Sequence, residues 1–189
     1  MTICALAPAA TSAPAKKVDG TLEALWTAVL VTPSAQNPFG TGGSAFECLD
    51  LGGTVAPFTT RPGGVESCTV KPGTKIFIVA SSVECSTFED HGTTERQLRT
   101  CARRGDAQVA PTASFDGKPV PILEAKTSLL NIVLPADNIF GLPAHTKGAS
   151  VGHGWVALLH PPTPGTHTIV ITSGASTIST RIVVQPRSS

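Results

Sequence analysis

The segment 83–101, VECSTFEDHGTTERQLRTC, gathers the side chains of this sequence best suited to chemistry. Nine charged residues fall between Glu84 and Asp106, a third of all those in the chain. Glu84, Glu89 and Asp90 can act as general bases or hold a cation, and His91 can pass a proton near neutrality. Arg96, Arg99 and Arg103 can clamp a carboxylate or a phosphate. A structural account competes with the chemical one: a solvated helix with Glu95 and Arg99 paired one turn apart, stapled by a Cys85–Cys101 disulfide. Charged faces on short helices are common, so the structural account is preferred for most of the segment. Glu84 stands apart, because it ends a run that reads as a buried strand. A carboxylate there needs a partner, and Arg99 or Arg103 is the expected one. On that reading, Glu84→Gln destabilises the fold.

Other constellations are less specific. His145, His153, His160 and His167 crowd into one region, yet none has H-x-H or H-x-x-x-H spacing. A blue-copper site calls for a cysteine among the histidines and usually a methionine; the only Met is Met1 and no Cys follows Cys101. No metal and no cofactor is therefore expected. There is no G-x-S-x-G motif, and no glycine-rich phosphate loop of P-loop or Rossmann type. Trp26 and Trp155 are candidates to stack on a sugar ring, but with no tyrosine and 5% aromatic residues both are read first as core anchors. Trp155 is retained with Arg99 and Arg103 as a candidate ligand contact.

These side chains need a scaffold, and composition narrows it. A chain of 189 residues suits one domain with a full core. Charged residues are only 14%, whereas Gly (18) and Pro (16) are abundant, a balance that favours short strands joined by turns. The net charge of +1 calls for no nucleic acid and no anionic membrane surface, and no stretch is apolar enough for a spanning helix. The start, MTICALAPAATSAPAKK, reads like the tail of a secretory signal, so residues 1–17 are set aside as a leader remnant or arm and 18–189 are taken as a single domain. With Cys4 in that leader, Cys48, Cys68, Cys85 and Cys101 remain and permit three pairings. The local one, Cys48–Cys68 and Cys85–Cys101, closes one loop per bridge and is favoured; each bridge stabilises by roughly 3 kcal/mol on a chain-entropy argument. An oxidised, exported protein fits this usage best.

Along the chain, Leu22, Leu25, Trp26, Val29 and Leu30 share a helical face over 19–32, which Pro33 ends. The region 33–65 reads as a long Gly-, Pro- and Thr-rich loop with one short strand near 55–59. A buried strand follows at 75–80, then a short helix over 95–103, capped by Thr93 or Thr94 and stopped by Gly105. Beyond it the pattern is β throughout: a hairpin around Asp116-Gly117, a strand in SLLNIVLP, two strands around a Pro-Gly turn that brings His160 and His167 together, and a last strand in STISTRIVVQP. The expected fold is mainly β, an antiparallel Ig-like or jelly-roll-type sandwich with one or two short helices packed at its side.

The succession of NPFGTGG, SCTVKPGTKIFIV, VECST, FDGKPV, LPADNIFGLPAHT and GWVALLHPPTPGTHTIVI resembles a family of secreted bacterial proteins of unknown function. In those proteins a Trp-containing helix precedes a cysteine-bearing loop and an Ig-like sandwich. The resemblance implies export, disulfides and a sandwich, and no particular activity. Two functions are weighed. The first is an exported module that binds a ligand or partner at the cell surface through the 33–65 loop and the 85–105 excursion. The second is a small-molecule lyase, cyclase or hydrolase, with an acid and a base drawn from Glu84, Glu89, Asp90 and His91 in a pocket between sandwich and helix. An apolar pocket holding one of these carboxylates favours the second, and a filled core with all of them in water favours the first.

Overall fold

A computed structural model of the chain describes residues 15–40, 44–60, 65–106 and 110–187. Cys4 and the rest of the proposed leader up to residue 14 lie outside the described residues, while residues 15–17 belong to the first helix.

That helix, α1 (Ala15–Val31), buries Val18, Leu22, Leu25, Trp26, Val29 and Leu30, a stripe at three- and four-residue spacing. Each such side chain contributes about 1.5–3 kcal/mol by leaving water. Its target is one face of a mixed sheet built from β1 (Phe46–Asp50), β2 (Thr54–Thr59), β4 (Lys75–Ser86), β7 (Leu123–Lys126), β8 (Leu130–Val133) and β9 (Lys147–Leu159). The order is β1-β2-β4-β9-β7, with β8 also on β9. The second sheet runs β3-β11-β10-β5-β6, from β3 (Val65–Val70), β5 (Thr112–Phe115), β6 (Lys118–Val120), β10 (Gly165–Ser173) and β11 (Ser176–Val184). The mainly β sandwich with helices at its side is thus observed. Most pairings are antiparallel; β2 with β4 and β3 with β11 are parallel.

The long strands β4 and β9 position the site, because their two ends face different layers. Ile76, Ile78, Ala157 and Leu159 pack on the second sheet, and Phe77, Val156 and Leu158 pack on α1. Farther along, the second sheet gives way to α2 (Glu95–Asp106), and Cys85 and Val151 meet Leu98 and Ala102. A bulge in β4 between Val79 and Ser81 separates the two regimes.

Helix α2 begins as a capping box. The Gln97 side-chain carbonyl accepts from the backbone N–H groups of Thr93 (3.1 Å) and Thr94 (3.0 Å) and from the Thr94 hydroxyl (2.8 Å). Gly105 does not stop it; the helix runs on to Asp106. Gly105 serves close approach instead, since a Cβ there would sit 2.9 Å from Val83 Cγ1. Both local disulfides are present, Cys48–Cys68 and Cys85–Cys101.

Two expectations need correction. The 33–65 region holds a hairpin, β1 and β2 turned at Gly52-Gly53, rather than one strand in a loop. Its alternation is hidden because β1 is an edge strand with every residue from Phe46 to Leu49 only half-buried, and because Pro57 sits in β2 where β4 no longer pairs. In addition, β9 and β10 lie in different sheets, so no hairpin joins His160 to His167. His160 is exposed, and His167 stacks on Phe115 and bonds to Asp116 Oδ2 at 2.7 Å. The Asp116-Gly117 turn is as expected, with φ of 50° and 73°.

Gly152 lets α1 approach. It pairs with Glu84 across β4 and β9, and a Cβ on it would run into the Trp26 ring and the Thr127 methyl. Gly152→Ala is expected to lose about 1–3 kcal/mol in urea unfolding, with Trp26 fluorescence reporting the displaced ring.

Candidate functional site

After the bulge, the even-numbered residues of β4 turn towards α1. Ser82 accepts the Trp26 indole N–H at 2.9 Å and itself donates to the His153 carbonyl at 2.9 Å. Two residues on, Glu84 points into a cavity of about 460 Å³ lined by Trp26, Leu30, Phe39, Ile139 and Phe140, with Glu89 and His91 also on its wall. Among the described residues no lysine or arginine lines it. The Glu84 carboxylate accepts a hydrogen bond from the Ser150 hydroxyl. Burial pushes its pKa from 4.5 up to about 7; the Ser150 bond pulls it down, and the negative charge of Glu89 adds to the rise.

The expected ion pair between Glu84 and Arg99 or Arg103 is therefore wrong. Arg99 forks onto Glu95, with Nε and Nη2 each 2.7 Å from Oε1, and its Nη1 donates to the Thr127 carbonyl at 3.0 Å. Arg103 is exposed on the same helix and lines a different cleft. The reason is geometric: α2 covers one face of the sheet, and Glu84 emerges on the other. Of the other candidate acids and bases, Glu89 and His91 line the cavity. His91 Nδ1 lies 3.7 Å from Glu89 Oε2, with the two side chains 35% and 42% exposed. Asp90 is exposed in a left-handed turn (φ 59°) and does not line the cavity.

A second polar cluster was not foreseen. His153 is buried on β9, with Nδ1 2.9 Å from Asp106 Oδ2 and Nε2 2.9 Å from Glu124 Oε1. Asp106 is wholly buried and also accepts from the Ser81 hydroxyl. Each ring nitrogen faces a carboxylate oxygen, so both are engaged and the ring is fixed in place between them. A nucleophilic triad places the hydroxyl on the imidazole; here it is on the carboxylate, and neither ring nitrogen is free to act as a base. The cluster ties the end of α2 to β4, β9 and β7. In sequence its trace is slight: a histidine between two glycines inside the apolar run VGHGWVALL, and an acid directly after the expected helix stop.

No family model and no curated protein matches the chain. Among solved structures, the solution structure of amebosin is similar at 11% identity over 63% of this chain and 88% of that one, with a TM-score of 0.24. So slight a likeness carries no argument about function.

Chemistry must therefore be read from the side chains alone. Cys85, Cys101 and His91 bring their donor atoms within 4.8 Å of one another, but the two sulfurs are bonded to each other and offer no thiolate. Trp26 is a core anchor, T-shaped against Phe58 and stacked with Phe39. Trp155 is half-buried far along β9, beside Pro111, Pro119 and Ile122. The residues singled out from sequence thus separate: Glu84, Glu89 and His91 lie around one cavity, Arg99 and Arg103 at another, Trp155 at a third, and Asp90 at none of these.

Proposed function

We propose that this chain is an exported Ig-like binding module, one of the secreted bacterial kind its segments resemble, and that its ligand is a small apolar molecule carrying a protonated amine, held in the Glu84 cavity. The observation that carries the reading is Glu84 itself. Among the described residues the carboxyl has no cationic partner, and it sits in an aliphatic and aromatic cavity whose other charged or titratable lining residues are Glu89 and His91. An organic ammonium supplies the missing charge, and the faces of Phe39 and Phe140 favour it further. The two disulfides support export. Among the described residues no helix is long and apolar enough to cross a membrane.

Binding on these terms is linked to protons. Below about 7 the free carboxyl is protonated and cannot pair with a cation, so affinity rises as the pH rises through that value. Titration calorimetry with 2-phenylethylammonium is expected to show roughly 30-fold tighter binding at about pH 8.5 than at about pH 5.5. Glu84→Gln is expected to abolish that dependence and to bind weakly at both values. Equal affinity in the variant would rule the reading out.

One observation favours an enzyme as the second reading. A carboxyl near 7 can give and take a proton at neutral pH, which suits general acid–base catalysis in a lyase, cyclase or hydrolase. Turnover of a bound amine, lost in Glu84→Gln and bell-shaped in pH, would decide for it.

A further inference from the structure

We propose a second ligand site, for a multiply charged organic anion, in the cleft where α1 and α2 flank the break between β7 and β8. The cleft holds about 670 Å³, within the range of small-molecule sites, and shares no lining residue with the Glu84 cavity. Lys16, Arg99, Arg103 and Lys126 face it, against the carboxylates of Asp19 and Glu23.

The two acids have structural employment. Asp19 Oδ1 accepts the Lys126 backbone N–H at 2.9 Å, and Glu23 Oε2 accepts the Ser128 N–H at 3.2 Å and its hydroxyl at 2.8 Å, so both carboxylates fasten α1 to the strand edge. The cations are not matched in the same way. Among the described residues, Lys16, Arg103 and Lys126 have no carboxylate within ion-pair distance, and only Arg99 is paired, with Glu95. Arg99 is in turn oriented by its bond to the Thr127 carbonyl, which places a fixed guanidinium in the wall. Arg96 and Arg104 continue the positive field along the outer face of α2. In a chain whose net charge is only +1, three cations without an ion-pair partner and the oriented Arg99 gather around this one concavity. Guanidinium and ammonium groups converging on a concave site recognise phosphate or carboxylate oxygens.

The test is titration calorimetry of the whole protein with inorganic pyrophosphate and, separately, with citrate. Saturable one-to-one binding of either is expected, weakening as sodium chloride is raised. Binding of pyrophosphate alone assigns phosphate chemistry, and of citrate alone carboxylate chemistry. The double variant Arg103→Ala/Lys126→Ala is expected to lose ten-fold or more in affinity, while Arg181→Ala, an exposed cation on β11, is expected to lose nothing. Both cleft side chains are exposed, so an unchanged melting temperature should show that the double variant is folded. The Gly152 amide shift on adding anion then gives a second readout at the cleft wall. No saturable binding of either anion, or binding that survives the double variant, overturns the proposal.

Discussion

Replacing His153 with alanine is expected to remove about 1–3 kcal/mol of folding stability, which for a domain of this size lowers the melting temperature by several degrees. The loss falls on Asp106. Its side chain is 0% exposed and keeps only the Ser81 hydroxyl once the imidazole is gone, whereas Glu124 is 58% exposed and returns to water. A buried polar group that loses a hydrogen-bond partner bears its full desolvation cost. Urea unfolding at neutral pH measures the loss. Asp106 and His153 share one bond, and Asp106→Asn still leaves an oxygen for Ser81, so the double variant Asp106→Asn/His153→Ala is expected to be more stable than the two single losses predict when added. A loss below about 1 kcal/mol in His153→Ala would show that the cluster does not hold α2 to the sheet. Hydrogen exchange should also locate the damage at the last turn of α2, the part the cluster anchors.

Glu84→Gln is expected to stabilise the protein above neutral pH, the reverse of what the sequence suggests. The folded state holds its Glu84 proton up to about 7, against 4.5 for the ordinary carboxyl. Between those values the folded chain binds more protons than the unfolded one, so stability falls as pH rises across the window and is lowest above about 7. The penalty at about pH 8.5 is at most about 3 kcal/mol, and less to the extent that water reaches the half-buried carboxyl. Glutamine is neutral throughout and avoids it. Melting curves of the two proteins should therefore coincide near about pH 4.5 and separate progressively towards about pH 8.5, with the variant the more stable. Coincident curves at high pH would mean that Glu84 ionises freely, and would remove the basis of the amine site with it.

Much of the scaffold was legible because it is written in local patterns. The stripe from Leu22 to Leu30 with Pro33 after it, the Thr94 cap, the Asp116-Gly117 turn and the last strand over 176–184 each depend on neighbours within a few positions. The favoured disulfide pairing belongs with these, since each bridge closes a loop of 20 or 16 residues. The strand near 55–59 is β2, but its edge partner β1 escaped because half-buried residues carry little hydrophobic signal.

The candidate site was only half legible, and the bulge in β4 shows why. Before it, Ile76, Ile78 and Ala80 face the second sheet while Phe77 faces α1. After it the parity is reversed: Cys85 faces α2, where it meets Cys101, and Ser82 and Glu84 face α1. A strand shows its side chains with a period of two, so one extra residue exchanges its faces, and nothing in the run IFIVASSVEC marks where that residue falls. Sequence alone determined that an acidic residue ends a buried strand beside a bridged cysteine. Tertiary structure decided which face it occupies, and hence that its neighbours are Ser150 and an aromatic cavity instead of the arginines of α2. The same holds for His153, whose partners stand 47 and 29 residues away and could be joined to it only by the register of β9 against β7 and the docking of α2. Local preferences act through bonds and adjacent turns, whereas the site depends on strand register and layer packing, which the whole chain sets together.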